Sequence, residues 1–130
     1  MCGRYVTISK LKTIEKQFNV VAPQPFNYKP SPNISIGEKA PIICSDHPKS
    51  IQLATFGFTP HWADKPTYWF NARTEGDCNK ENDSKYTGAM GILKKPAFRK
   101  AIRSQRCLVV ADAFIEGPQK ERLNRPYVLY

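Results

Sequence analysis

Met1-Cys2-Gly3-Arg4-Tyr5-Val6-Thr7-Ile8-Ser9 opens the chain, and the rest of the architecture is read outward from it. Gly3 to Ile8 reads as a strand leading directly from the N-terminus, and Ser9 is placed to cap a short helix carrying Leu11, Ile14 and Phe18 on one face. Pro23, Pro25, Pro30 and Pro32 then predict a turn-rich, non-helical connection, followed by strands at Ala40 to Cys44 and Ile51 to Phe58. Pro60 and Pro66 bracket a loop holding His61, Trp62 and Asp64, and Tyr68 to Ala72 reads as a short extended segment. A polar stretch from Gly76 to Lys85 resembles a surface loop. Pro96 to Ser104 reads as a helix running into a strand at Cys107 to Ala111, and Pro126 to Tyr130 as a last strand. Short strands dominate this pattern, which predicts an α+β fold: a partly closed β-sheet flanked by a few helices. The 130 residues are expected to form a single domain. The strand-like ending with no turn or polar tail suggests a domain truncated at its C-terminal end.

Lysine and arginine number 20 against 11 acidic residues, a formal charge of +9 with a pI near 9.5. The cations are spread along the chain without a long basic run, which favours a folded positive face and a polyanionic partner; solubility alone accounts for such a charge equally well. No stretch is long and apolar enough to span a bilayer and no secretory signal is visible, so no membrane partner and a cytoplasmic location are expected. Cys2, Cys44, Cys78 and Cys107 form no CxxC, and with only His47 and His61 present there is no zinc-ligand pattern. No metal and no cofactor is expected. Cys44 and Cys107 lie in apolar runs and read as inert core thiols, whereas Cys78 lies in a polar stretch.

Three clusters could carry chemistry. A small residue at position 2 permits removal of Met1, leaving Cys2 with a free amine of pKa about 7.7–8.0 and a thiol of about 8.5. Such a residue reacts with an aldehyde in two stages, first to an imine and then, by thiol addition, to a thiazolidine ring. Arg4 would lower the thiol pKa if it lies close. From position 2 alone, a chance cysteine behind a retained methionine is the plainer reading. In Asn71-Ala72-Arg73-Thr74-Glu75, an extended backbone would put Asn71 and Arg73 on one face, where an amide beside a guanidinium can hold an oxyanion or phosphate. Trp62 and Trp69 nearby could stack on unpaired bases. In Cys107 to Glu116 a carboxylate ends an apolar run, and partial desolvation there would suit Glu116 to proton transfer. A strand-end glutamate facing solvent is the bland alternative.

Taken in order, these pieces resemble the SOS-response-associated peptidase (SRAP) family. The resemblance rests on Met1 to Tyr5, Tyr28 to Pro32, Gly57-Phe58-Thr59-Pro60-His61-Trp62, Asn71 to Glu75, Pro96-Ala97-Phe98-Arg99, Arg106-Cys107-Leu108, Ala111-Asp112 and Glu116. It implies that Cys2 forms a thiazolidine with the ring-opened aldehyde of an abasic site in single-stranded DNA. It further implies that Asn71 orients the reacting groups, Glu116 acts as acid/base, Arg4 and Arg73 clamp flanking phosphates, and the loop around Trp62 wedges or stacks. A peptidase role would amount to processing of the chain's own N-terminus, and a monomer is expected.

The chain departs from the family pattern at several places. Val110, Ala113, Ile115 and Gly117 replace the usual residues around the glutamate, Lys29 replaces an asparagine, and Ala63 often a second tryptophan. The segment between Glu75 and Pro96 is longer than typical. The family's downstream histidine has no counterpart, so neither His47 nor His61 is given a role. Two rival readings stay open: an N-terminal-nucleophile amidohydrolase of glutamine amidotransferase type, which also opens Met-Cys-Gly, and a non-catalytic single-strand-binding module with Cys2 idle.

Overall fold

A computed structural model of the chain describes residues 3–75, 79, 81, 83–88, 90–118 and 124–130. Cys2, Cys78 and part of the polar 76–85 stretch lie outside the described residues. The α+β expectation holds: there are two antiparallel sheets that stay open, accompanied by short helices. The first sheet has the order β2 (Ser31–Ser35), β1 (Arg4–Thr7), β6 (Ala113–Glu116), β7 (Tyr127–Leu129). The second has the order β4 (Ile51–Thr55), β3 (Lys39–Cys44), β5 (Cys107–Val109). β1 is therefore an inner strand, and Tyr5, Val6 and Thr7 are all buried.

The chain passes between the sheets twice. Ser35 to Lys39 turns β2 into β3, with the Glu38 carboxylate accepting bonds from the Ser35 N–H (2.6 Å) and hydroxyl (2.8 Å). Those bonds hold the Glu38 carboxyl below its ordinary pKa. The second crossing shortens the strand expected to reach Ala111. Val110 N–H donates to Pro41 O, the last bond of the second sheet, and Asp112 N–H donates to Val6 O in the first. The backbone changes sheets in between, and buried Thr7 braces the crossing by donating its hydroxyl to Val110 O at 3.1 Å.

One core cluster packs Ile14, Val20 and Ala22 against Ile43, Ile51 and Val110, with Leu11, Phe26 and Tyr28 around it. Helix α1 (Leu11–Phe18) supplies Ile14 at 1% exposure, as its apolar spacing predicts. The other cluster joins Tyr5, Ile34 and Ala40 to Phe56 and Ala111, with the Tyr5 and Phe56 rings edge-on at 5.2 Å. Burial, with Cys107 nearby, pushes the Tyr5 hydroxyl up to about 12. The predicted Pro96–Ser104 helix is regular only as α2 (Ala101–Ser104), preceded by turns bonded Arg99 N–H to Lys95 O and Ile102 N–H to Phe98 O. Cys107 is exposed and Cys44 half-buried, so Cys107 is not the core thiol its apolar neighbours suggest. Two of the four outer strands among the described residues, β5 and β7, carry exposed apolar residues, from Leu108 and Val109 to Tyr127, Val128 and Leu129.

Candidate functional site

Gly57 begins the most specialised loop of the molecule. Its φ of 113° is one that side-chain-bearing residues avoid, and a Cβ there would stand 2.8 Å from Tyr68 Cβ and 2.9 Å from Tyr68 Cα. That close approach lets Phe58 and Trp69 bond reciprocally, N–H to O at 2.6 and 2.8 Å. Thr67 closes the loop neck further, donating its hydroxyl to Phe58 O and its N–H to Thr59 Oγ1, both at 3.2 Å. Pro60 is fully buried beneath, and Trp62 stands on the loop at 54% exposure. Its ring meets Trp69 edge-on at 6.4 Å, Trp69 lies 5.8 Å from Phe98, and Phe98 lies 5.2 Å from Phe58.

This aromatic chain forms one wall of a cavity of about 410 Å³ whose polar lining comes from Asn71, Arg73 and Lys95. Trp62, Asn71 and Arg73, three residues singled out from the sequence, are thus brought together. The route is not the expected strand. Tyr68 has a left-handed φ of 48° and only Trp69 pairs, so Asn71 and Arg73 reach one cavity along irregular backbone. The Arg73 guanidinium grips a single carboxylate oxygen of Glu75, with Nη2 at 2.7 Å and Nε at 2.9 Å. Glu75's own backbone N–H and then Arg73 hold that carboxyl below its usual pKa. A phosphate reaching Arg73 must therefore compete with Glu75. Sequence gives Lys95 and Phe98 no site role; the Pro96-Ala97-Phe98-Arg99 block is a signal for Phe98, and Lys95 has none.

Arg4 and Glu116 sit elsewhere, on adjacent strands. Arg4 pairs with Ile115 across β1 and β6, and Glu116 is the next residue along β6, half-buried and opposite Tyr127 of β7. The Arg4 Nη1 donates to Asn33 Oδ1 at 3.1 Å. Cys2, the residue on which the aldehyde chemistry turns, lies outside the described residues. The strand end and the cleft loop both approach the β2–β3 turn. A Cβ at Gly3 would stand 3.9 Å from Ile36 Cδ1, and one at Gly37 would stand 4.0 Å from Tyr68 Cε2.

Asp112 fastens the far end of β1. Its carboxylate accepts the Ile8 N–H (2.6 Å), the Ser9 N–H (2.9 Å) and the Ser9 hydroxyl (2.5 Å). Ser9 is therefore not the helix cap; Lys10 occupies that position and makes no side-chain capping bond. Tyr28 adds a further tie, its hydroxyl lying 2.9 Å from Ser9 O and 3.2 Å from Thr7 O. Among the described residues no three of His, Cys, Asp and Glu gather to hold a metal ion, and no helix is long and apolar enough to cross a membrane. His47 lies beside Asp46 at 3.9 Å on an exposed turn, and His61 is exposed next to Trp62.

The frame is thus an open two-sheet α+β fold with β1 as an inner strand and an aromatic cleft bearing an amide and two cations. The chain belongs to the SOS response associated peptidase (SRAP) family, whose model matches residues 1–130. It is similar to the abasic site processing protein YoqW of Bacillus subtilis (strain 168), 31% identical over 121 residues, covering 89% of this chain and 47% of that protein. The same figures hold for YoqW of Bacillus phage SPbeta. The abasic site processing protein YobE of Bacillus subtilis (strain 168) is 30% identical over 121 residues, covering 89% of this chain and 48% of its own length. The chain spans about half the length of these relatives.

Proposed function

We propose that this chain acts on abasic sites in single-stranded DNA and links to them covalently through Cys2 after removal of Met1 by processing of its own N-terminus. The observation that carries the reading is the shared strand end, where Arg4 and Glu116 occupy neighbouring strands at the start of β1, two residues after Cys2 in the chain. The amine of Cys2 attacks the ring-opened sugar aldehyde, and water leaves to give an imine. The thiol then adds to the imine carbon, and its proton passes to nitrogen to complete a thiazolidine, so the net change is loss of one water. Glu116 supplies the proton that carries off the hydroxyl in the first stage. Asn71 holds the sugar oxygens, while Arg73 and Arg4 bind the flanking phosphates.

Support for a single-stranded partner comes from the cleft: exposed Trp62 and Trp69 offer stacking faces that any unpaired base can use, and Lys95 and Arg73 supply positive charge beside them. The relatives are named for abasic site processing, which agrees with this substrate. The protein works as a monomer on nucleoid DNA in the cytoplasm. The test is incubation with single-stranded DNA carrying one abasic site. A heat-stable adduct is expected that is absent with Cys2→Ala and with intact DNA. Ammonia release from glutamine without an adduct would replace this reading with an amidotransferase, and salt-sensitive association alone would reduce it to a binding module.

A further inference from the structure

Cys44 ends β3, Cys107 begins β5, and the register sets them directly opposite each other. Opposed residues in an antiparallel ladder alternate between pairs that exchange both hydrogen bonds and pairs that exchange none; the second kind brings Cα atoms to about 4.5 Å rather than about 5.5 Å. Two bonds fix the phase here. Ser45 N–H donates to Arg106 O at 2.9 Å, and Val110 N–H donates to Pro41 O at 3.2 Å. Ser45 with Arg106 and Pro41 with Val110 are therefore the bonded kind, and Cys44 with Cys107, one step along, is the close unbonded kind. Directly opposed side chains leave the sheet on the same face, and a disulfide requires Cα atoms about 4.4–6.8 Å apart. Cys107 is open to solvent, while half-buried Cys44 lies with its Sγ 3.9 Å from Gln52 Oε1.

We propose that Cys44 and Cys107 form a reversible dithiol–disulfide site, closed by a small-molecule disulfide of the glutathione type. The Cys107 thiolate, the accessible one, attacks the oxidant and expels one glutathione thiolate. The Cys44 thiolate then attacks the Cys107 sulfur and expels the second. Two electrons and two protons leave the protein's thiols and end on two molecules of reduced glutathione, so the exchange balances. Burial raises both thiol pKa values, which slows the exchange without altering its geometry. The bond would close the excursion that holds Trp62, Trp69, Asn71, Arg73 and Phe98, fastening the base of the aromatic cleft. This site does not depend on the DNA-linking chemistry of Cys2.

The experiment treats the whole chain with oxidised glutathione and maps its peptides without reduction. Expected is loss of two hydrogens, a peptide carrying Cys44 joined to one carrying Cys107, and a melting midpoint higher by about 5 °C or more. Cys44→Ser should instead trap glutathione on Cys107 with no internal link. A link that pairs either residue with Cys2 or Cys78, glutathione retained on both cysteines, or a midpoint that does not rise would overturn the proposal. Repeating the treatment on Cys2→Ser/Cys78→Ser keeps the test decisive if Cys44→Ser fails to fold.

Discussion

At Asp112 one carboxylate takes three hydrogen bonds from two consecutive residues, Ile8 and Ser9, across more than a hundred positions of sequence. Partial burial works to raise its pKa, but the Ser9 hydroxyl and the two backbone N–H groups outweigh it, so the folded value lies below the ordinary one. A lowered carboxylate contributes stability above its unfolded pKa of about 3.9 and loses it as pH falls through the folded value. Asp112→Asn should therefore cost about 1–2 kcal/mol at pH 7, after discounting for solvent, and flatten the acid limb of urea midpoints measured between pH 7 and pH 2. Glu116→Gln should slow adduct formation by about 10²–10⁴-fold with DNA affinity unchanged, as seen by single-turnover kinetics against anisotropy. Equal rates would remove Glu116 from the acid/base role. Ser9 shows why residue-level reading is incomplete: a serine before a helix looks like a cap, and nothing local reveals a carboxylate arriving from position 112.

Among the elements, α1 and the inner strand β1 were legible because apolar spacing and β-branched content act locally. β2 was not, since Ser31 to Ser35 carries a proline and reads as turn until β1 is there to pair with it. The helix expected from Pro96 is regular only from Ala101, and Phe98, in the turns before it, packs against Phe58 and Trp69, a long-range contact that local spacing does not reveal. The loop that makes the cleft depends on Gly57. Gly57→Ala should lower stability by about 1–3 kcal/mol in urea titration, because the added carbon meets the backbone of Tyr68 and the φ is strained. The same variant should weaken binding to single-stranded DNA. Trp62→Ala leaves the neck of the loop intact and should cost about 1–3 kcal/mol of binding with little change in melting.

For the whole molecule, the α+β class and the positive charge followed from composition and pattern, whereas the split into two sheets did not, because the crossing at Val110 to Asp112 lies inside the mostly apolar stretch Cys107 to Ile115, in which Asp112 is the one charged residue. β5 and β7 are edge strands with exposed apolar residues, and no reading of residue type alone tells an edge strand from an inner one. Charge is a property of this scale too. Lys94, Arg99 and Lys100 are exposed on the segment that also supplies Lys95 and Phe98 to the cleft. Lys94→Gln/Arg99→Gln/Lys100→Gln should reduce the salt dependence of single-strand binding by about 0.7 in log–log slope for each phosphate no longer neutralised. An unchanged slope would place the strand's path on another face.

The chain's two tryptophans, Trp62 and Trp69, both stand at the cleft, their rings 6.4 Å apart. Ultraviolet emission excited selectively from indole therefore originates at a single locality, and the protein carries its own optical gauge. Quenching or a spectral shift on mixing with an oligonucleotide reads occupancy there directly, with no dye attached and no background from the remainder of the molecule.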